Sequence, residues 1–299
     1  MRVFVTGATG FIGSATVKDL IAAGHAVVGL ARSEAAAAAL TEAGAGAHRG
    51  SLEDLDSLRS GAVAADGVIH LGFVHDFSRF KAVSEIDRRV IAALADGLAG
   101  TDRPLIITSG TALVAPGRLA SEDDAPVSGS DVHPRIASEE AAEAAAARGV
   151  RVSAVRLSPS VHGAGDHGFV PILIGIAREK GVSAYVGDGL NRWPAVHRLD
   201  AARLYRLALE KEGAAGARYH GVAEEGVPFR VIAETIGRHL NVPVVARRPE
   251  EAAGHFGWFA HFAAIDCPAS SAKTQAELGW HPVQPGLIPD LEQGHYFKG

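Results

Sequence analysis

The chain has a single cysteine, Cys267, among its 299 residues. One cysteine excludes an internal disulfide framework and a cysteine-based zinc site. We interpret Cys267 as a buried, inert thiol, because no motif typical of a nucleophilic cysteine surrounds it. The spacing of His70 and His75 could suggest a metal pair, but no carboxylate or cysteine accompanies them convincingly. We therefore expect no metal site.

The sequence also lacks an excess of positive charge and a long apolar run. Its formal net charge of -5 gives no electrostatic reason to expect nucleic acid or an anionic membrane as a partner. No uninterrupted apolar segment reaches the roughly 18 residues of a membrane span. A strand is predicted from residue 2, without a basic segment and apolar core before it. We therefore expect no secretory signal and a cytoplasmic location.

Short apolar runs alternate with helix-like segments through the first half of the chain. Strands are predicted at 2–5, 25–30, 67–71, 104–108 and 150–157, and helices at 14–23, 34–43, 83–98 and 137–147. Such alternation is typical of a parallel sheet with helices on both faces. We therefore predict an α/β fold with a doubly wound parallel sheet of Rossmann type. The second half has longer loops, in which 159–193 and 224–249 look like excursions from the sheet.

A glycine-rich turn links the first predicted strand to the first predicted helix. Residues 6–13 read TGATGFIG. Gly7 permits the tight turn, Gly10 lets a phosphate approach the backbone, and Gly13 lets the helix pack closely on the strand. The free N–H groups and the positive end of the helix then face an anion. The sequence therefore predicts a site for the pyrophosphate of a dinucleotide.

The spacing Gly-x-x-Gly-x-x-Gly after a threonine resembles the extended short-chain dehydrogenase/reductase family, also called the NAD-dependent epimerase/dehydratase family. Other segments extend the resemblance. GSLEDL (50–55) is similar to the family's third-strand turn, and VIHLGF (68–73) is similar to its VIHLAA segment. RLSPSVHG (156–163) resembles RPxxVYG, and SAKTQAELGWHP (271–282) resembles the C-terminal SxKaxxeLGWxP. We interpret the last segment as structural, with a helix ended by Gly279.

The resemblance implies a division of the chain into two regions. A dinucleotide-binding domain is expected over 1–160, with returning segments near 194–222 and 262–270. A small, discontinuous substrate-binding domain is expected over most of 161–299. The resemblance also implies a small-molecule substrate, and family members often form homodimers through helices of the main domain.

The end of the second strand predicts which dinucleotide is bound. A carboxylate at this position binds both ribose hydroxyls, whereas an arginine favours a 2′-phosphate. The acidic position falls on Ala31, and Arg32 follows it. We therefore predict NADP(H) over NAD(H), with a merely solvated Arg32 as the alternative. The predicted cofactor contacts are Gly7, Thr9, Gly10, Phe11, Ile12, Gly13, Arg32, Ser51, Leu52, Leu71, Gly72, Phe73, Thr108 and Ser109.

The family's proton-transfer motif, Tyr-x-x-x-Lys, is absent. When Ser138 is aligned with the serine that often precedes the family lysine, Glu139 falls at the lysine position and Arg135 at the tyrosine position. Arginine is no general acid near neutral pH, because its pKa exceeds about 12. It can still stabilise charge on a carbonyl oxygen. The family's Ser/Thr element, which orients the substrate oxygen, matches Ser109 best and Thr111 second.

A histidine is the predicted replacement for the missing tyrosine, because imidazole titrates near neutral pH. His133 lies two residues before Arg135, and His162 stands where the family segment has its tyrosine. We predict both as candidate catalytic residues. For His70, which lies in an apolar strand, and for His197 we favour structural roles.

A polar and aromatic loop in the second half ends in Asn191, Arg192 and Trp193. The corresponding region of the family walls the substrate site, so we predict that these three residues line a substrate pocket. A packed turn with Trp193 in the core is an equally supported alternative.

These patterns together predict an NADP(H)-dependent oxidoreductase of atypical short-chain type. It would transfer a hydride to or from a carbonyl or alcohol carbon. Two alternatives stay open. One is a non-catalytic NADPH-binding regulator or redox sensor. The other is an epimerase or isomerase with a tightly held cofactor.

Overall fold

The structure is a computed structural model that describes residues 1–213 and 215–298. Its strands are β1 (Arg2–Thr6), β2 (Ala26–Ala31), β3 (Gly46–Arg49), β4 (Gly67–His70), β5 (Leu105–Gly110), β6 (Val152–Leu157), β7 (Ser160–His162), β8 (Ser183–Val186), β9 (Arg192–His197), β10 (Arg218–Gly221), β11 (Glu224–Pro228) and β12 (Val244–Arg247). Its α-helices are α1 (Phe11–Ala22), α2 (Glu34–Glu42), α3 (Leu55–Val63), α4 (Phe80–Leu98), α5 (Ala137–Ala147), α6 (Phe169–Lys180), α7 (Arg198–Glu210), α8 (Phe229–Leu240), α9 (Ala252–Phe256), α10 (Ala260–Ala264), α11 (Ala272–Leu278) and α12 (Leu287–Glu292).

The central sheet has seven parallel strands in the order β10-β6-β5-β4-β1-β2-β3. The chain crosses over from β3 at one edge to β4 beside β1, so β1 and β4 flank the point where the strand order reverses. Ligands of such sheets bind outside the carboxyl ends of the strands at this point. The predicted α/β fold of Rossmann type is confirmed. Helix α1 begins at Phe11, three residues earlier than predicted, because Gly10 already acts as its N-cap.

Apolar side chains cover both faces of this sheet. One cluster includes Leu20, Tyr205 and Trp280, and a second, built around α3 and α4, includes Leu58 and Leu94. Trp280 is fully buried, and its Nε1 donates to the carbonyl of Asp200 at 2.9 Å, as its structural interpretation requires. Gly279 ends α11 with φ at 61°, a left-handed conformation that favours glycine.

The second half of the chain adds two smaller sheets. One has the order β11-β9-β7 and the other pairs β12 with β8, while β10 returns to the central sheet. The predicted limits of the two regions stay a prediction. Cys267 lies in the apolar cluster of the second half, where burial raises the pKa of its thiol to about 12. Within the described ranges, no helix is both long and apolar enough to cross a membrane.

Candidate cofactor and active site

The turn between β1 and α1 has no room for side chains at two of its glycines. A Cβ on Gly7, whose φ is 65°, would lie 2.7 Å from the backbone nitrogen of Gly72. A Cβ on Gly13 would lie 2.0 Å from the carbonyl oxygen of Gly7. Helix α1 has no side-chain cap at Gly10 and no acidic residue in its first turn. Its first backbone N–H groups are therefore available to an anion. We call these N–H groups, together with the glycine turn before them, the cradle, and its shape and polarity fit a pyrophosphate.

Three loops that carry predicted cofactor residues meet at Gly72. A Cβ there would lie 3.0 Å from Leu52 Cδ2 and 3.2 Å from Thr6 Oγ1. The backbone N–H of Gly72 also donates to Thr6 Oγ1 at 3.1 Å. The turns after β1, β3 and β4 thus form one edge, to which Ser51 and Leu71 also belong. This is the edge that an extended dinucleotide would need to cross.

Arg32 follows β2 directly and is exposed, whereas Ala31 before it is buried. Ser33 caps α2 by accepting a hydrogen bond from the N–H of Ala36. None of the described residues forms an ion pair with the Arg32 guanidinium. The position that a carboxylate would need for the ribose is therefore held by alanine, and an unpaired arginine lies next to it.

A buried chain of polar groups runs beneath this edge. His70 Nδ1 lies 2.6 Å from Thr6 Oγ1, and His70 Nε2 lies 2.9 Å from Asp87 Oδ1 on α4. Burial acts to raise the pKa of Asp87, but the charge of Arg135 and the bond from His70 hold it below its ordinary value. Asp87 is therefore an ionised anchor. His70 is a satisfied core histidine, as the sequence predicted.

Arg135 extends from a 3-10 turn ahead of α5 towards the sheet edge. Its Nη1 donates to Asp87 Oδ2 at 3.0 Å, and its Nη2 donates to the carbonyl of Thr108 at 2.9 Å. Ser138 also contacts both Arg135 and Asp87. The Arg135 guanidinium lies 4.4 Å from the ring centroid of Phe73. It is thus a fixed cation beside the predicted cofactor residues Phe73 and Thr108.

The two predicted oxygen-orienting residues are buried. The Ser109 hydroxyl donates to Glu139 Oε1 at 2.6 Å, and Glu139 is in turn bound by Arg156. Burial acts to raise the pKa of Glu139, but Arg156 and Ser109 outweigh it and lower the pKa. Thr111 lies 3.4 Å from the carbonyl of Leu157. Both hydroxyls thus have protein partners, and their contact with a substrate stays a prediction.

The two candidate proton-transfer histidines have different surroundings. His133 is half-buried, 6.3 Å from the ring of Phe80. Burial and the charges of His261 and Arg135 lower its pKa. His162 is buried, with Nδ1 2.9 Å from Asp290 Oδ2. His133 thus stays partly exposed, whereas Asp290 fixes His162 against α12.

The three predicted substrate residues are held by other parts of the second half. Trp193 is fully buried, with its ring centroid 4.9 Å from that of Phe229. Arg192 pairs with Asp266 at 2.8 Å, and the Asn191 amide donates to two backbone carbonyls near α10. The structure thus shows Trp193 in the core, and a substrate contact of Asn191, Arg192 or Trp193 stays a prediction.

Several residues at this edge were missed by the sequence analysis. The Tyr205 hydroxyl lies 2.8 Å from Thr108 Oγ1, although α7 is far along the chain. Burial raises the pKa of Tyr205 far above its ordinary value. Arg198, also on α7, lies over the ring of Phe11. No local motif marks these residues, because their positions depend on how α7 packs against α1 and the sheet.

A family model described as the NAD dependent epimerase/dehydratase family matches residues 3–220. An uncharacterized protein of Schizosaccharomyces pombe is 52% identical over 99% of this chain and 100% of that protein. The 2-alkyl-3-oxoalkanoate reductase of Stenotrophomonas maltophilia is 28% identical over 82% of this chain and 77% of that protein.

Solved structures share the fold along nearly the whole chain. MoeE5 in complex with UDP-glucose and NAD has a TM-score of 0.76 at 22% identity, and the match covers 99% of this chain and 97% of that one. DesIV, a dTDP-glucose 4,6-dehydratase from Streptomyces venezuelae with NAD bound, has a TM-score of 0.77 at 20% identity, covering 100% of this chain and 98% of that one. At such identities the likeness shows the fold alone.

Proposed function

This chain belongs to the NAD-dependent epimerase/dehydratase family, and we propose that it is an NADP(H)-dependent oxidoreductase acting on a carbonyl or alcohol carbon. The observation that carries the cofactor preference is the exposed, unpaired Arg32 after β2, next to alanine rather than a carboxylate. A guanidinium binds a 2′-phosphate with two parallel hydrogen bonds, whereas a free 2′-hydroxyl gains little from it.

The reaction draws its hydride chemistry from the nicotinamide when the dinucleotide is bound. In the proposed mechanism, the side chains of this protein orient the substrate and move the proton. Ser109 donates its own proton to Glu139, so its Oγ accepts the hydroxyl of an alcohol substrate, with Thr111 as the second candidate for this contact. The Arg135 cation stabilises negative charge on the substrate oxygen. His133 exchanges the proton, because it is partly exposed and near Arg135, whereas His162 is buried. The lowered pKa of His133 favours its neutral, proton-accepting form and hence alcohol oxidation.

The substrate class that we propose is a small carbonyl compound or the matching alcohol. The relative named 2-alkyl-3-oxoalkanoate reductase makes 3-oxo acids the first compounds to test. Consumption of NADPH in proportion to product would support an oxidoreductase. Conversion without net NADPH consumption would support the epimerase or isomerase alternative, and tight binding without turnover would support the sensor.

The first experiment is a fluorescence titration of the purified protein with NADPH and with NADH. We expect NADPH to bind at least tenfold more tightly, which is about 1.4 kcal/mol. Arg32→Gln should remove this preference by weakening NADPH alone. Arg230→Gln is the matched control, since Arg230 is an exposed arginine on α8 paired with Glu234. Equal binding of the two dinucleotides by the wild type would overturn the NADP(H) proposal, and binding of neither would overturn the enzyme proposal as well.

A further inference from the structure

Arg198 is the first residue of α7 and reaches from there to the start of α1. Its guanidinium carbon lies 5.0 Å from the ring centroid of Phe11. Phe11 is the first residue of α1, so its N–H belongs to the cradle described above. A cation is thus held beside the positive end of the helix that should receive the pyrophosphate, although like charges repel. An anion bound between them would be attracted by both positive charges.

The carboxylates nearest to Arg198 in the chain and in the adjacent loop are engaged elsewhere. Asp200, on the same helix, accepts the backbone N–H groups of residues 283 and 284 at 2.9–3.1 Å and pairs with Arg203 at 3.4 Å. Asp166 accepts the Tyr296 hydroxyl at 3.0 Å and a backbone N–H of its own loop. No carboxylate in the described part of the chain forms an ion pair with Arg198. Among the residues that the structure describes, its charge therefore has no anionic partner.

The loop between β7 and α6 packs over Arg198 and fixes it. A Cβ on Gly163, whose φ is 134°, would lie 3.2 Å from Arg198 Cγ, and a Cβ on Gly165 would lie 3.8 Å from its Nη1. His167, on the same loop, meets the Phe11 ring edge-on, with centroids 5.8 Å apart. The Arg198 side chain thus lies between this loop and the Phe11 ring, and it stays partly exposed.

We propose that Arg198 binds the pyrophosphate of the dinucleotide together with the N–H groups at the start of α1. The inference rests on the proposed dinucleotide binding and adds to it a contact from the second half of the chain. A guanidinium matches the geometry of two phosphate oxygens, and a pyrophosphate carries enough charge for both the helix end and the arginine. Arg198 therefore holds both NADPH and NADH, whereas Arg32 distinguishes between them.

The test compares Arg198→Gln with Arg32→Gln, using three probes in fluorescence and calorimetric titrations. The probes are NADPH, NADH and adenosine 2′-monophosphate, which carries the 2′-phosphate but no pyrophosphate. Arg198→Gln should weaken NADPH and NADH by the same factor, about 10- to 100-fold, and leave adenosine 2′-monophosphate unchanged. Arg32→Gln should weaken NADPH and adenosine 2′-monophosphate and leave NADH unchanged. Arg230→Gln should change none of the three.

The outcomes separate this inference from the proposed function. If the wild type binds both dinucleotides and Arg198→Gln binds them equally well, the inference is overturned and the proposed function stands. If Arg198→Gln raises only the KM of an anionic carbonyl substrate, the arginine serves the substrate and the inference is again overturned. If the wild type binds neither NADPH nor NADH, both the inference and the proposed function are overturned. Should Arg198→Gln fail to fold, Arg198→Lys is the second variant, because it keeps the charge but cannot form two parallel hydrogen bonds. We expect it to show an intermediate loss of affinity for both dinucleotides.

Discussion

Glu139 and Arg156 form a two-point ion pair in the interior of the protein. Arg156 Nε lies 2.8 Å from one oxygen of the Glu139 carboxylate, and Nη2 lies 2.6 Å from the other. The two side chains are 3% and 0% exposed, respectively. The alignment proposed from the sequence places Glu139 at the position of the family's lysine. A lysine at this position would face Arg156 in the interior of the protein.

Restoring the family motif should destabilise the protein. We expect Glu139→Lys, alone or with Arg135→Tyr, to lose more stability than Glu139→Gln, because it opposes two cations in the interior. Removing one partner of a buried pair costs about 3–5 kcal/mol, which sets the scale for Glu139→Gln. Urea denaturation measures the free energy of unfolding. Glu143→Gln, at an exposed partner of Arg218, is the control and should change it by less than about 1 kcal/mol. A stable, more active Tyr/Lys variant would contradict this account.

Gly13→Ala should abolish dinucleotide binding with little effect on the rest of the fold. The new Cβ would lie 2.0 Å from the Gly7 carbonyl, so the turn must move and the N–H cradle with it. The readouts are NADPH affinity and far-ultraviolet circular dichroism. Gly175→Ala in α6 is the matched control, because nothing lies within 4 Å of its added Cβ. This control should bind normally and gain up to about 1 kcal/mol of stability. Normal NADPH affinity in Gly13→Ala would exclude the turn as the binding site.

Protein stability should fall as the pH drops below 6.5, the ordinary pKa of histidine. Burial lowers the pKa of His220 in the folded state, so the unfolded chain takes up a proton at a higher pH than the folded one. The contribution of His220 to the free energy of unfolding is then fully present above pH 6.5, and it is lost as the pH falls towards the pKa of the folded state. Denaturation at pH 7.5 and 5.5 measures this loss, which His220→Gln should reduce. An identical loss in His220→Gln would exclude His220 as a source.

The fold and the cofactor edge were largely predictable, because they depend on local patterns. Alternating apolar runs predict the strands, and the glycine spacing of residues 6–13 predicts a turn that permits no side chain at Gly7 or Gly13. The glycine-rich turn and the strands after it also predict where β2 ends, so Arg32 could be proposed as a cofactor contact from the sequence alone.

The polar network of the site was less predictable, because its members come from distant segments. Asp87 connects His70 to Arg135 across three elements, and no motif identified it. The sequence analysis did not identify Arg198, because its proximity to Phe11 depends on the packing of α7 on α1. Sequence patterns identified residues within one turn or strand end, whereas these contacts arise from tertiary packing.

The assignment of His133 as the proton acceptor predicts a pH profile for alcohol oxidation. Burial and the nearby His261 and Arg135 lower its pKa, so the neutral form dominates above 6.5. We expect kcat/KM for oxidation with NADP+ to be flat above this value and to fall on an acid limb below it. His133→Asn should remove the limb and lower the rate by about 10²–10⁴-fold. His281→Asn is the control, since His281 is exposed and follows α11, and it should keep both the acid limb and the wild-type rate. If the limb persists in His133→Asn but vanishes in His162→Asn, the proton passes through His162, and partial exposure was the wrong criterion for choosing between them.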